Sequence, residues 1–251
     1  MLCKNRWITK KKGAAVETAG KNLEVRNGKL AKQDIFYYNR RNRRKRKGQA
    51  MISIIDYDAG NIKSVEKAIC HLGQEAVITR DKDVILASDK VILPGVGSFG
   101  DAMGKLKDYG LVNVIYDVAD KKIPFLGICL GLQLLFESSD ESKGVAGLGL
   151  LKGEILRIPD QEGLKIPHMG WNNLEIKEGA ALFRGIGENP YVYFVHSYYL
   201  KAKEEEDVAA TTHYSTLIHA AVEHDNIYAC QFHPEKSSRT GLKILENFIS
   251  L

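Results

Sequence analysis

From Met51 onward, short apolar runs alternate with stretches whose apolar residues recur at helical spacing. Residues 52–55, 75–79, 90–93 and 124–128 read as strands, and the last is a short apolar run suited to burial on both faces. Residues 61–72, 103–108 and 111–120 carry apolar side chains three and four apart and predict helices, the first stopping at Gly73. Such alternation predicts a parallel sheet flanked by helices. The second half is richer in strands, at 153–158, 173–175, 191–199, 208–212, 220–224 and 227–231, with a closing helix over 242–249.

Two segments within this pattern carry chemistry. Gly127-Ile128-Cys129-Leu130-Gly131 follows an apolar strand and opens a helix expected over 130–137. That is a strand-turn-helix setting for a nucleophile, here a cysteine. Gly127 and Gly131 remove side chains that would block a close approach of strand and helix. The positive end of the helix beside the sulfur favours the thiolate.

The second segment, His233-Pro234-Glu235, lies 104 residues later. A residue before proline is pushed toward an extended conformation, and residues two apart on an extended chain face the same side. His233 and Glu235 can therefore face one site, with His233 as the base for Cys129 and Glu235 holding its tautomer. An isolated buried cysteine is usually a small hydrophobe. The pairing of both segments makes a Cys129-His233-Glu235 triad the better reading.

Further segments make the likeness specific: Ile55-Asp56-Tyr57-Asp58-Ala59-Gly60-Asn61, Leu93-Pro94-Gly95-Val96-Gly97-Ser98-Phe99, Pro167-His168-Met169-Gly170-Trp171-Asn172 and Tyr193-Phe194-Val195-His196-Ser197-Tyr198-Tyr199. On these motifs residues 51–251 resemble the class I, triad-type glutamine amidotransferases. Within them the chain is most similar to the glutaminase subunits of imidazole glycerol phosphate synthases. The resemblance implies a flavodoxin-like, three-layer α/β fold and hydrolysis of L-glutamine to glutamate and ammonia through a Cys129 thioester. It implies an oxyanion hole from Gly95, Val96 and the N–H of Leu130. Glutamine would be held by Gly97, Gln133, Glu141, Ser197 and Tyr198. A cyclase subunit, the partner in a heterodimer, would dock on Asn61, His168, Met169, Trp171 and Asn172. It would take up the ammonia to make imidazole glycerol phosphate and aminoimidazole carboxamide ribotide. No metal or organic cofactor is implied. Asp58 departs from the pattern, standing where these proteins commonly carry glycine.

Charge divides the chain in two. Residues 1–50 hold 16 Lys or Arg against three acidic residues, a balance of +13, whereas residues 51–251 stand at −8. The first segment reads as a basic, disordered leader or a start-site artefact with Met51 as the true start, and the rest as the amidotransferase domain. A nucleic-acid-binding or regulatory protein using the leader is the reading from another class, and the acidic body argues against it. Another synthase's glutaminase, for pyridoxal phosphate or anthranilate, is the nearer alternative; the Pro-His-Met-Gly-Trp-Asn segment argues against that. No apolar run approaches the ~20 residues of a membrane span. Four cysteines without metal-ligand spacing read as thiols in a reducing cytoplasm.

Overall fold

The structure, a computed structural model, describes residues 50–251 and, ahead of them, two short strands. These are β1 (Val25–Arg26) and β2 (Lys29–Leu30), paired antiparallel. The chain divides into units 1–49 and 50–251. The expectation of a disordered leader lies outside the described residues.

The second unit is built on an eight-stranded sheet. Five strands run parallel: β3 (Met51–Ile55), β4 (Glu75–Thr79), β5 (Lys90–Leu93), β6 (Phe125–Ile128) and β15 (Ile227–Cys230), in spatial order β4-β3-β5-β6-β15. Antiparallel strands β14 (Thr216–His224), β13 (Val208–Tyr214) and β10 (Glu175–Ile176) extend the β15 edge. The parallel order is that of flavodoxin-like sheets, which bind ligands beyond the carboxyl ends of their strands.

Alternate residues of each central strand feed two cores. Ile55, Val91, Leu93 and Phe125 pack with helices α2 (Lys82–Leu86), α3 (Phe99–Asp108) and α4 (Leu111–Asp120). Ile52, Ile54, Ile92 and Leu126 pack with α1 (Ile62–His71) and α6 (Ser238–Ser250). The result is the three-layer α/β fold that the sequence predicts. Among the described residues, no helix is long and apolar enough to cross a membrane.

Several element boundaries differ from expectation. Helix α5 after Cys129 spans only Leu130–Gln133 instead of reaching residue 137. The carbonyls of Leu134, Leu135 and Phe136 instead accept N–H groups from Leu148, Leu151 and Gly149, so a returning loop takes the place of the next helical turn. The run 191–199 breaks at Ser197. Strand β11 (Tyr191–His196) pairs with β9 (His168–Asn173), while β12 (Tyr198–Ala202) pairs with β8 (Gly153–Arg157), itself flanked by β7 (Ser138–Ser139). The strand expected over 173–175 is divided between β9 and β10. Helix α2 has only five residues, too few for a periodic signal, and is fixed by Asp81, whose carboxylate accepts from Asp83 N and Val84 N.

Candidate active site

Cys129 sits at the carboxyl end of β6 with φ 55° and ψ −110°, an unusual backbone conformation for a non-glycine residue. Its N–H bonds Cys230 O at 2.8 Å across the β6–β15 ladder. The flanking glycines are sterically required. A Cβ on Gly131 would stand 1.9 Å from Leu93 O, and one on Gly127 2.8 Å from Gly131 O. Strand, turn and helix thus converge so tightly that only this spacing of glycines accommodates the elbow.

His233 and Glu235 arrive from the other side of the sheet's carboxyl edge. His233 is extended, as expected before proline, but Pro234–Lys236 then forms a 3-10 turn rather than continuing the strand. The turn brings Glu235 Oε1 to 2.9 Å from His233 Nδ1. Asn61 Nδ2 donates to the same oxygen at 2.7 Å. Asn61, expected on a docking surface, therefore has its side-chain amide on the carboxylate. His233 Nε2 and Glu235 Oε2 are buried without a hydrogen-bond partner among the described residues.

Burial opposes a charge on His233. The neighbouring Cys129 sulfur and the Glu235 carboxylate outweigh it and raise the imidazole to about 9. The ring therefore favours its protonated form at neutral pH. This is the electrostatic arrangement of a cysteine paired with a general acid–base.

The Pro94–Gly97 turn follows β5 and closes over this pair. Gly95 lies against the start of α5, where a Cβ would meet Leu130 Cβ at 2.8 Å and the Gly131 N at 3.0 Å. Leu130 is the first residue of α5, so its N–H has no partner within the helix. Val96 packs on Gly60, and a narrow crevice lies between Asn61, Gly95, Val96, His233 and Glu235. Gly97 has φ 105°, a conformation that favours glycine. Glu141 Oε2 accepts from Phe99 N at 2.7 Å and so anchors the N-terminus of α3 just beyond that turn.

Gln133, which taken alone would be an ordinary surface residue, is buried. Its Nε2 donates to Tyr198 O at 3.1 Å and to Gln231 Oε1 at 3.0 Å, leaving its own Oε1 for other contacts. Gln231, absent from the expected site, places Nε2 3.6 Å from Cys129 Sγ. The sequence signal was its spacing, two residues before His233 at the end of a strand. The Ser197 carbonyl accepts from Ile158 N at 2.9 Å, which fixes the break between β11 and β12.

Strands β9 and β11 form a ribbon with two unlike faces. Met169 (62% exposed), Trp171 (51%) and Tyr191 (56%) are on the outer face, and Trp171 meets Tyr193 edge-on. His168, expected on the outside, is 3% exposed and faces inward. It stacks on Tyr214 and Phe194, and its Nδ1 lies 3.0 Å from His196 Nε2. Asn172 is half-buried and donates to His213 O at 3.1 Å. The ribbon joins the His233 turn directly: His233 N bonds Tyr193 O, and Tyr193 N bonds Ser237 Oγ.

Residues 53–251 match the family model described as glutamine amidotransferase class-I. The chain belongs to the class I glutamine amidotransferase family. Among curated amidotransferases of this kind, imidazole glycerol phosphate synthase subunit HisH of Methanocaldococcus jannaschii is 48% identical over 80% of this chain and 100% of its own. The subunit of the same name from Moorella thermoacetica is 52% identical over 78% and 93%. A solved structure of PurLQS from Thermotoga maritima shares the amidotransferase fold, with TM-score 0.64 and 20% identity over 80% of this chain and 98% of that one.

The β3–α1 loop holds Asp58, which the sequence marks as an expected departure from the family pattern. Asp58 has φ 62°, a left-handed conformation that glycine adopts freely and aspartate tolerates better than most residues. Its carboxylate accepts from the Tyr109 hydroxyl and, at 2.7 Å, from Arg80. Both contacts, Tyr109 foremost, hold the Asp58 carboxyl below its usual range. Arg80 also bonds Asp56 at 3.0 Å and lies 4.1 Å above the Tyr109 ring.

Proposed function

We propose that this chain is the glutaminase subunit of an imidazole glycerol phosphate synthase, hydrolysing glutamine and passing ammonia to a cyclase subunit. The observation that carries the chemistry is the bonded His233–Glu235 pair beside the Cys129 elbow. The pathway rests on the names of relatives about half identical over the length of residues 51–251.

The reaction follows from these positions. His233 Nε2 already holds the proton given up by Cys129, and the thiolate Sγ attacks the side-chain amide carbon of glutamine. Backbone N–H groups of the Gly95–Val96 turn and of Leu130 stabilise the oxyanion. Collapse breaks the C–N bond, and the Nε2 proton goes to nitrogen, which leaves as ammonia. Water then attacks the thioester, gives its proton to Nε2, and glutamate departs as the C–S bond breaks. Glu235 keeps Nδ1 occupied throughout, so Nε2 alone exchanges protons.

The exposed Met169, Trp171 and Tyr191 face is the proposed cyclase contact, because large exposed apolar groups of this kind are typical anchors of protein interfaces. Through Tyr193 it reaches the His233 turn, so docking there acts on the glutaminase site. Residues 51–251 are proposed to suffice. Met51 opens the sheet, and its N–H is held by Asp89 Oδ2 at 2.7 Å. A chain begun at Met51 is expected to release glutamate at the rate of the full chain.

The deciding experiment is Cys129→Ala in the assembled synthase. Glutamate release is expected to fall to background while the cyclase still works with added ammonia. Retained hydrolysis would overturn the assignment.

A further inference from the structure

A single line of hydrogen bonds runs from the β9 ribbon to the Cys129 sulfur, and its donors can be ordered in only one way. His196 Nδ1 is 2.8 Å from Tyr198 O, and a carbonyl only accepts, so Nδ1 carries the proton. Burial pushes His196 down to about 3 and His168 to about 4, so both rings are neutral near pH 7. With its proton on Nδ1, His196 must accept at Nε2. The donor is His168 Nδ1, at 3.0 Å. His168 Nε2 is thereby left as an acceptor, facing Asn172 Nδ2 at 3.4 Å.

The same Tyr198 carbonyl fixes the other half of the line. It accepts from Gln133 Nε2, whose second N–H goes to Gln231 Oε1. Both N–H groups of Gln133 are then used. Gln231 has its oxygen occupied, so what it turns toward the sulfur is an N–H donor, with Nε2 at 3.6 Å from Sγ. Its backbone is pinned by Gln231 N to Ala220 O at 2.8 Å, and its side chain is fully buried. A buried amide cannot trade this partner for water without a penalty. A donor at the sulfur favours the charged form over the neutral one.

We propose that Gln231 is a further catalytic residue, whose side-chain N–H donates to Cys129 Sγ and supports the thiolate, and that His168 and His196 are positioning residues that fix its orientation. This goes beyond the triad and rests on the reading of Cys129 as the nucleophile. Gln231 acts on the attacking atom itself. The histidine pair acts at one remove, by holding the carbonyl to which Gln133 is tied.

The test is the rate at which iodoacetamide modifies Cys129 in the full chain, followed by mass spectrometry of the Cys129 peptide across pH. It needs no glutamine turnover, so it fails separately from the glutaminase assay of Cys129→Ala. In Gln231→Met the pH profile of modification is expected to move up by about one unit, with a rate about tenfold lower on its acid limb. Gln231→Glu, which puts a carboxylate against the sulfur, is expected to move it further in the same direction. His168→Phe is expected to give a smaller shift of the same sign. A folded Gln231→Met protein with an unchanged profile would overturn the proposal.

A measurement on the native side chain covers the case in which these variants do not fold. In chain labelled with 15N-glutamine, the side-chain amide signal nearest Cys129 is expected to shift when Cys129 is alkylated. Absence of any glutamine side-chain response would equally sink the idea.

Discussion

Cys129 and the His233–Glu235 pair meet at one site but are held there by different means. The cysteine stands between a strand and a helix that follow one another in the chain, with Gly127 and Gly131 two residues to either side. The histidine and glutamate stand on a short turn supported from a distance. Tyr193 O receives the His233 N–H, Ser237 Oγ donates to His233 O, and Asn61 reaches Glu235 from 174 residues away. Cys129 is thus set by its flanking glycines together with the neighbouring strands of the central sheet, through Leu93 and Cys230. The acid–base pair is set by tertiary structure, which ties it to the ribbon and to the β3–α1 loop. A partner that presses on the ribbon or the loop therefore has a route to His233 and Glu235, whereas the elbow is held within the central sheet.

The largest effects come from the two glycines that bring each side into place. A Cβ on Gly131 would stand 1.9 Å from Leu93 O, and one on Gly241 would stand 1.9 Å from Pro234 O. Both Gly131→Ala and Gly241→Ala are expected to destabilise the protein by about 3 kcal/mol or more, measured by urea unfolding. They separate in a second readout. Gly131→Ala should disturb iodoacetamide modification of Cys129 directly, while Gly241→Ala should abolish glutamine hydrolysis with the thiol still reactive. Equal loss of thiol reactivity in both would dissolve the distinction between the two supports.

Next in size is Glu235→Gln, expected to lower kcat by about 10³–10⁴ while KM changes little, because the imidazole loses the carboxylate that fixes its tautomer. The same pair predicts a stability profile. His233 in the folded chain titrates near 9, above its ordinary 6.5. Its contribution is fully present below pH 6.5 and is lost as pH rises through about 9. The amount is on the order of 3 kcal/mol. Chemical unfolding between pH 6 and 10 should show this decline in the native protein and a flatter curve in Glu235→Gln. A parallel pair of curves would place the stabilisation elsewhere.

The smallest effect expected is that of Asn61→Ala, about tenfold in kcat, the scale of one hydrogen bond to a charged group. Asn61→Asp should be worse, since it sets a second carboxylate against Glu235. If Asn61→Asp equalled Asn61→Ala, the contact would be incidental to catalysis.

The parallel half of the fold was legible because each strand and helix there is defined by its own residues. The strands there are short apolar runs and the helices are amphipathic, so local pattern and final structure agree. The Cys129 elbow and the His233–Glu235 pairing were legible because each motif is short: the elbow is one five-residue run, and His233 and Glu235 are two residues apart. What escaped depended on pairing across the chain. Nothing local at Ser197 reveals that the strands before and after it join different sheets. The inward turn of His168 follows from register with β11, which sets it opposite His196. Asn61 follows a strand end, yet its bond to Glu235 exists only after α1 and the His233 turn have come together.

Asp58, Arg80 and Tyr109 carry a consequence for inheritance. The aspartate occupies a left-handed backbone position, and the arginine and tyrosine that grip it also grip each other. Asp58 is held by both of the others, and Arg80 also bonds Asp56. The three should therefore be exchanged between lineages as a set, and an aspartate grafted alone into a relative with glycine there would bring the backbone strain without the clamp. Their substitutions should not add: once one member is gone, losing the next should cost little more. Three surface residues far apart in the chain are thus expected to behave as one coupled set, at the base of the loop that holds Asn61.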